Sequence, residues 1–402
     1  MTLTTSISAD DLLGQLFAGQ DGHPDPYPLY RSLREAAPVH RSARDGVWYI
    51  SRHADCLKLL LDTGCGRKPA GTHSPRPFFV SALDAHRFTR PLRGTMLWSN
   101  PPDHSRLRAP VSRVFTAPRV EQLRSRISAG VDECLDALLG VEGADIMDGL
   151  AFRLPVSVMG DIVGVPPADH DGLRGLFLDS VNGRADEADD AIDVYFSELA
   201  AERRRAPRDD LVSALVTARD GGGRLSEAEV LSTSALIFGA GFVTTTNLIG
   251  NGLLALLRHP AEAARLWEDP GLAATAVEEM LRYDSPVQLN GRYVFERVEV
   301  GGRVMEAGEF VLTIIGGANR DPDRFRDPER FDIGRADNHP VSFGWGIHHC
   351  LGARLARLEG QVVFRRLAER LASIDLLDDA PPREPGVFLR GLRSLPVCLR
   401  PR

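Results

Sequence analysis

The sequence predicts a mainly α-helical protein with a minor β portion. Residues 103–257 follow an almost unbroken helical pattern, and a further long helix is predicted over residues 351–371. Short apolar runs between residues 293 and 310, with turn signals at Gly301-Gly302 and Gly308, predict a few short strands. The helical segments are far longer than the strands, so helices are expected to make up most of the fold.

The helix predicted over residues 225–257 is expected to run through the core. Ser226 followed by Glu229 predicts a capping box at its start, and the Arg-His-Pro run at residues 258–260 predicts its end. Between these ends the helix is apolar on nearly every side, which is typical of a helix that is buried all round.

The N-terminal quarter predicts smaller elements. Residues 39–51 predict a hairpin with its turn near Asp45-Gly46, and residues 53–62 predict a helix. Residues 63–102 have no stable period, and long irregular segments in compact proteins are usually functional or disordered. This segment carries several large apolar residues: Phe78, Phe79, Phe88, Met96 and Trp98. Their presence favours a binding loop over disorder.

Composition and charge exclude several classes of protein. The chain has 402 residues, 43% of them hydrophobic, and a net charge of −7, which argues against a nucleic-acid binder. Length alone would suggest two or three domains. No basic N-terminal region precedes an apolar run, and no uninterrupted apolar stretch is long enough to span a membrane. We therefore expect a soluble protein that binds neither nucleic acid nor membrane.

Five cysteines are scattered along the chain without a C-x-x-C pair, at positions Cys56, Cys65, Cys134, Cys350 and Cys398. The odd number and the spacing predict neither a disulfide framework nor a zinc ribbon. A reducing cytoplasm is the compartment that fits best.

Cys350 lies in the most informative segment, Phe-Gly-Trp-Gly-Ile-His-His-Cys-Leu-Gly at residues 343–352. Gly344 and Gly346 permit backbone conformations closed to other residues, so the loop can pass close to a flat ligand. The cysteine directly precedes a predicted helix, whose free N–H groups and dipole favour thiolate over thiol. The alternative is an inert buried cysteine, the usual state of this residue type.

The pattern F-G-x-G-x-H-x-C-x-G in this segment resembles the haem-binding loop of the cytochrome P450 family. The resemblance implies haem b as the cofactor, Cys350 as the axial thiolate ligand of its iron, and Gly352 as the residue that leaves room for the macrocycle. It extends from about residue 26 to residue 399, in family order, and therefore implies the cytochrome P450 fold in a single domain over residues 1–402.

Two further motifs imply residues that hold the cofactor. His104 and Arg108 lie four apart at a predicted helix start, and the family binds a haem propionate with such a pair. Arg292 and His348 match two more propionate contacts, and four donors for two carboxylates is chemically sensible. Without the resemblance, His104 and Arg108 would read equally well as a cationic surface patch.

A structural triad is implied on the cysteine side. Glu279 and Arg282 resemble the family's E-x-x-R, and Arg330 lies in a segment similar to its P-E-R-F. By resemblance these three residues form a buried group with a structural role. An isolated E-x-x-R is more often a solvated surface pair of little value.

The central helix carries the predicted catalytic residues. Thr244 resembles the family's oxygen-activating threonine, which helps deliver protons, although a threonine within a helix often only bonds its own i−4 carbonyl. Small residues from Gly239 to Gly241 would leave space for dioxygen and substrate. The family has Asp or Glu before this threonine, whereas here the position is Val243, which cannot relay protons. Ordered water with Thr244 or Thr245, or a group on the substrate, would then supply them.

The predicted substrate site is apolar with few fixed polar groups. It takes its positions from the segments that contact substrate in the family: Phe78, Phe79, Met96, Leu97, Leu236, Gly239, Ala240, Val287, Leu289 and Phe388. An apolar lining predicts a medium-to-large hydrophobic ligand. The segment at residues 282–288 resembles bacterial members that tailor natural products, which implies a natural-product intermediate.

The chain has no flavin or nicotinamide module, so electrons are expected from a separate ferredoxin with its reductase. Four arginines are candidates for a basic docking patch: Arg106, Arg113, Arg354 and Arg357. Ordinary solvated arginines explain them equally well. The chain is expected to act as a monomer.

Three functions are compatible with these residues. The first is a hydroxylase or epoxidase that uses dioxygen, and the second is an oxidative cyclase, coupling or rearranging enzyme of the same fold, which Val243 makes more credible. The third is a haem-thiolate binding protein without turnover. Cys350, the propionate residues and Thr244 weigh against the third, because a docking module has no chemical need for them.

Overall fold

The structure is a computed structural model that describes residues 7–18, 23–67, 94–181, 185–220 and 223–402. Helices dominate it and a small β portion accompanies them, which confirms the predicted fold class. Phe78 and Phe79, two of the predicted substrate-lining residues, lie outside the described residues.

The α-helices are numbered here in chain order: α1 Ala9–Phe17, α2 Tyr27–Ala36, α3 His53–Leu61, α4 Asp103–Ser112, α5 Ala117–Gln122, α6 Arg124–Leu138, α7 Arg153–Val163, α8 His170–Val181, α9 Ala185–Arg205, α10 Leu211–Thr217, α11 Glu227–Leu257, α12 Pro260–Glu268, α13 Ala273–Tyr283, α14 Ile315–Ala318 and α15 Ala353–Arg370. Single turns of 3-10 helix occur at Met96–Trp98, Pro167–Asp169, Pro270–Leu272 and Gly346–His348, and a π-helix at Met147–Phe152.

The strands are short: β1 Val39–Arg41, β2 Trp48–Ile50, β3 Cys65–Gly66, β4 Ala144–Asp145, β5 Arg219–Asp220, β6 Gly223–Arg224, β7 Leu289–Val294, β8 Val298–Val300, β9 Arg303–Met305, β10 Phe310–Ile314, β11 Leu371–Leu376 and β12 Pro396–Pro401. One sheet has the order β1-β2-β10-β7-β3, in which only the β2–β10 pair is parallel. A second sheet has the order β11-β12-β4, and β5-β6 and β8-β9 are isolated hairpins.

Several predicted elements are confirmed. The hairpin of β1 and β2 turns at Gly46, whose φ of 72° is the left-handed conformation that glycine adopts most easily. Gly301, Gly302 and Gly308 also have positive φ at the predicted turns of the later strands. The prediction omitted β11 and β12, and it placed the first of the later strands a few residues late, since β7 begins at Leu289.

Helix α11 is the central helix that the sequence predicts. The Ser226 side chain accepts a hydrogen bond from the N–H of Glu229, and Glu229 accepts one from the N–H of Ser226, so the capping box is present. By length and composition α11 could cross a membrane, but 72% of its most apolar 18-residue window is buried inside the protein. Its apolar side chains belong to the largest hydrophobic core, together with residues of α4–α10, α12, α13 and α15. The burial identifies it as a core helix.

Candidate functional site

The cysteine loop has the backbone that its glycines predict. Gly344 and Gly346 have φ values of 63° and 72°. A Cβ at Gly346 would lie 2.6 Å from the carbonyl oxygen of Leu60, so a larger residue would collide with the end of α3. The N–H of Cys350 donates to the carbonyl of Phe343 at 2.9 Å, which closes the loop directly before α15.

The Cys350 side chain is accessible, yet burial is the largest influence on its acidity. Burial raises the pKa of the thiol, while backbone N–H groups of Gly352 and Ala353 and the charge of Arg108 oppose the rise. The sequence predicts that thiolate is favoured over thiol at Cys350, but in the protein without a bound metal the effect of burial is larger and favours the thiol. A metal cation bound to the sulfur would reverse this, because the thiolate is the form that ligates metals.

Beside this loop lies a cluster of cationic and potentially cationic side chains. The rings of His104 and His348 meet edge-to-face at 4.5 Å, and Arg108 donates to the carbonyl of His349 at 2.7 Å. Arg292 is 3% exposed, and its hydrogen bonds to described residues go to oxygens of its own strand, those of Asn290 and Gly291.

Arg67 belongs to the same cluster, and the sequence analysis missed it. Its Nε is buried without a hydrogen-bond partner among the described residues, and burial followed by the charge of Arg292 lowers its pKa. Burial first, and then Arg67, Arg292 and other cations, lower the pKa of His348 to about 2. Arg67 follows the short strand β3 inside the stretch without a period, so no motif pointed to it.

This cluster fits the carboxylates of a haem. Both ring nitrogens of His104 and Nε2 of His348 are also buried without partners among the described residues. Buried donors normally find acceptors, and buried cations normally find anions. Two propionates beside these side chains and Arg67 would supply both the hydrogen-bond acceptors and the negative charges, through charge-assisted hydrogen bonds. A Cβ at Gly352 would meet no described atom within 4 Å, in agreement with the room expected there.

The buried triad is present with one member exchanged. Glu279 and Arg282 are both 0% exposed and form two hydrogen bonds of 2.8 Å. The third member is Arg335, whose Nε lies 3.1 Å from Glu279 Oε2. Arg330 was predicted in this role, and that prediction was wrong. Its side chain is exposed, and only its carbonyl takes part, as an acceptor from Arg282 and Arg335.

The predicted catalytic segment of α11 is more accessible than the rest of the helix's central part. Ala240 is exposed and Val243 and Thr244 are partly exposed, whereas most of the helix around them is buried. The Thr244 hydroxyl donates to the carbonyl of Ala240 at 3.1 Å. Thr245 is buried and donates to the carbonyl of Gly241 at 3.0 Å. Of the two hydroxyls, only that of Thr244 lies on the accessible side.

Gly239 and Gly241 are packing residues in this structure. A Cβ at Gly239 would lie 2.5 Å from the ring of Phe177 in α8, and one at Gly241 would lie 2.4 Å from Sδ of Met159 in α7. The space predicted at these two positions is therefore filled by neighbouring helices, and Ala240 is the most exposed residue of the three.

The remaining predicted substrate-lining residues differ in exposure. Leu97, Val287 and Phe388 are partly exposed, while Met96 and Leu236 are nearly buried. Leu289 is 2% exposed and belongs to the hydrophobic cluster around α1 and α2, so it does not open on a cavity. The prediction for Leu289 was wrong because the alternation of strand β7 turns Leu289 to one face and Asn290 and Arg292 to the other.

Comparison with known proteins gives a consistent result. The family model described as "Cytochrome P450" matches residues 165–269 and 272–389, more than half of the chain. The chain is 37% identical to "Polyketide biosynthesis cytochrome P450 PksS" of Bacillus subtilis, covering 95% of this chain and 97% of the relative. It is 42% identical to "Cytochrome P450 107B1" of Saccharopolyspora erythraea, covering 93% and 95%. It is 39% identical to "Vitamin D(3) 25-hydroxylase" of Pseudonocardia autotrophica, covering 99% and 98%.

Solved structures agree in the fold. A complex of P450BioI with a fatty-acyl-loaded acyl carrier protein superimposes with a TM-score of 0.85, at 33% identity over 94% of this chain and 99% of that one. The enzyme CxnD, described as forming a C–S bond in chuangxinmycin biosynthesis, superimposes with a TM-score of 0.81, at 32% identity over 94% and 96%.

Proposed function

Because the chain belongs to the cytochrome P450 family and is a haem-thiolate enzyme, we propose that it inserts oxygen from dioxygen into a medium-to-large hydrophobic natural-product intermediate. The observation that carries the proposal is the position of the Cys350 loop beside a buried cluster in which Arg67 Nε, both ring nitrogens of His104 and Nε2 of His348 have no hydrogen-bond partner among the described residues. A protein that had lost haem would have no chemical use for such unsatisfied buried groups beside two buried arginines.

Haem, when bound, supplies the redox chemistry that activates dioxygen. The chain's own residues hold and orient it. Cys350 would ligate the iron, and His104, Arg108, Arg292, His348 and Arg67 would bind the propionates. The buried pairing of Glu279 with Arg282 and Arg335 ties α13 to the segment that leads into the cysteine loop, and so keeps that loop in place.

The substrate class rests on the relatives and on the lining. One relative is named for polyketide biosynthesis and another as a 25-hydroxylase of vitamin D(3). The partly exposed residues of the predicted site, Leu97, Val287 and Phe388, are apolar. One structural neighbour is a complex with an acyl carrier protein, so carrier-bound substrates should be screened together with free ones.

A second candidate function is oxidative ring closure, coupling or rearrangement without net oxygen insertion. Val243 favours it, because an acid that assists oxygen protonation is missing there. One structural neighbour, CxnD, is described as forming a C–S bond, so bond formation occurs within this fold.

The electron donor is proposed to be a ferredoxin that docks over the cysteine loop. Trp345 and Ile347 are exposed at 41% and 49%, and Arg113 and Arg354 are exposed without a described ion pair. Two other arginines of the predicted patch are already engaged. Arg106 pairs with Glu229, and Arg357 pairs with Glu278, each at 2.5 Å. The docking patch is therefore smaller than predicted. We further propose a cytoplasmic monomer.

The test is product analysis with isotopic oxygen. The holoenzyme is supplied with a ferredoxin, its reductase and NADH, and screened against free and carrier-bound polyketides under ¹⁸O₂. One ¹⁸O atom in the product supports monooxygenation. An oxidised product without ¹⁸O supports the second candidate, and electron-driven dioxygen consumption that never yields an oxidised product would refute both.

A further inference from the structure

An aromatic side chain of α8 lies against the predicted catalytic segment of α11. Phe177 is partly exposed, and its ring comes so close to Gly239 that a Cβ there would lie 2.5 Å from Cε1 and 2.6 Å from Cδ1 of the ring. Carbon atoms that are not bonded do not approach this closely, so the ring can lie there only because residue 239 has no side chain. Phe177 was not among the predicted substrate-lining residues, because its neighbours Leu176 and Leu178 are apolar as well and no local pattern distinguishes it.

Two buried rings of α11 cover one side of Phe177. The centroid of the Phe177 ring lies 5.5 Å from that of Phe238 and 6.0 Å from that of Phe242, tilted in the first pair and edge-to-face in the second. Phe238 and Phe242 are both 0% exposed. Tilted and edge-to-face pairs at these distances attract each other beyond the burial of their area. The Phe177 ring is therefore held in place, and a displaced ring could not move toward Phe238 and Phe242.

Val243 continues this apolar surface one turn further along α11. Residues four apart in a helix are neighbours on one face, with about 5–6 Å between their Cβ positions, so Val243 lies next to the place where Phe177 contacts Gly239. Val243 and Phe177 are both partly buried and pack against the same hydrophobic core. The exposed Ala240 is three residues from Val243 and lies beside it. Phe177, Gly239 and Val243 together are named the aromatic wall.

The aromatic wall gives a physical reason for the absence of an acid at position 243. An aspartate or glutamate there would hold its carboxylate next to the apolar contact between Phe177 and Gly239, and burying a charge costs free energy unless the charge is paired. Valine avoids this cost and adds apolar area beside Ala240. The departure from the family's acid is thus favourable for the surface that a substrate would contact, whichever way protons are supplied.

We propose that the aromatic wall determines which part of a substrate lies beside Ala240: an uncharged apolar ring or chain is accepted, and a charged or strongly hydrogen-bonding group is rejected. Phe177 provides the contact area, Gly239 sets the position of its ring, and Val243 keeps the neighbouring turn apolar. A polar group placed against this wall would lose its hydrogen bonds to water without gaining new ones. The inference rests on the proposed monooxygenase function, since it takes the accessible side of the catalytic segment as the substrate site.

The test uses imidazole and 4-phenylimidazole as probes, because both bind haem iron through a ring nitrogen and differ only by the phenyl group. Optical titration of the holoprotein gives both dissociation constants, and their ratio measures what the phenyl group contributes. The wild type is expected to bind 4-phenylimidazole at least about ten-fold more tightly than imidazole. Phe177→Ala should reduce this preference about five-fold, since one aromatic contact is lost. Val243→Asn, which places a carboxamide on the wall, should reduce it about three-fold.

A double variant tests the role of Gly239. In Gly239→Ala the added methyl group displaces the Phe177 ring, and the buried rings behind it leave it only the accessible side, so the preference for 4-phenylimidazole is expected to fall about ten-fold. In Gly239→Ala/Phe177→Ala the colliding ring is gone, so the preference should agree with that of Phe177→Ala within about two-fold. The matched control is Gly250→Ala, about three turns further along α11. A Cβ there would lie 2.5 Å from Sδ of Met147, so this variant should lose stability but keep the wild-type preference.

Imidazole itself should bind the variants as it binds the wild type, which separates a changed wall from a damaged haem site. Phe177→Leu, with a smaller apolar side chain, gives the same comparison if Phe177→Ala takes up no haem. The inference would be overturned by a preference that is absent in the wild type or unchanged in Phe177→Ala, or by a Gly239→Ala effect that keeps its full size without the Phe177 ring. These titrations need no turnover, so a failure of the proposed monooxygenase function would appear in the ¹⁸O₂ experiment and not in these ratios.

Discussion

Replacing Glu359 by glutamine is expected to stabilise the folded protein, and to do so more strongly as the pH rises. Glu359 lies in α15 and is 0% exposed, and neither carboxylate oxygen has a hydrogen-bond partner among the described residues. Burial raises the pKa of this carboxyl from 4.5 to about 8. The folded protein therefore holds the Glu359 proton more tightly than the unfolded chain does.

The size of the effect follows from linkage. Below about pH 4.5 both states are protonated and the charge costs nothing. Between pH 4.5 and 8 the unfolded chain releases the proton, and the free energy of unfolding falls with pH. At 1.36 kcal/mol per pKa unit, the total loss is at most about 5 kcal/mol, reached above pH 8. Glutamine has nearly the same shape and no charge, so this pH dependence should vanish.

The assay is urea unfolding of the holoprotein at pH 5, 7 and 8.5, with the exposed Glu299 of β8 replaced by glutamine as the control. The advantage of Glu359→Gln over wild type is expected to grow by several kcal/mol across this range, whereas Glu299→Gln should stay within about 0.5 kcal/mol. A constant difference between Glu359→Gln and wild type at the three pH values would refute the reasoning, because it would show that Glu359 is charged, or is solvated, in the folded protein.

Three further predictions concern the site. Arg335→Met should lower the free energy of unfolding in urea by about 3 kcal/mol, because it leaves the buried Glu279 carboxylate short of a partner. The control Arg330→Met should lower it by less than about 0.5 kcal/mol. Equal losses would contradict the assignment of Arg335 as the third member of the triad. Arg67→Met should speed transfer of haem to apomyoglobin by about ten-fold, the equivalent of one charge-assisted bond, and the exposed Arg52→Met should not; unchanged transfer would exclude Arg67 from the propionate group. Val243→Asp should change the share of electrons recovered as product, and an unaltered share would show that protons do not pass through position 243.

Much of the fold follows from local sequence signals. Three features have a local physical cause: the capping box at Ser226, the uniform apolarity of α11 and the glycine turns. Each is present in the structure at the residues that carry its signal. The strands β11 and β12 do not show such a signal. In residues 371–376, buried and exposed side chains do not alternate, so the period of two expected for a half-buried strand is absent.

Site residues could be predicted from the sequence where residues close to them in the chain set the position of their side chains. Cys350 and the Glu279–Arg282 pair are examples, since a loop and one helix turn set their positions. Arg335 and Arg67 were missed because the residues beside them, Glu279 for Arg335 and Arg292 and His348 for Arg67, lie far away in the chain and only the tertiary fold brings them together. Leu289 shows the same limit, because the face on which a strand residue lies depends on a register that one sequence does not fix.

The central claim is ligation of haem iron by the Cys350 thiolate, and the carbon monoxide spectrum of the reduced protein tests it most directly. The wild-type holoprotein is expected to show the red-shifted absorption band that a thiolate ligand produces, and Cys350→Ala should lose it. A Cys350→Ala protein that keeps that band, or a wild-type protein that lacks it when fully loaded with haem, would contradict the account.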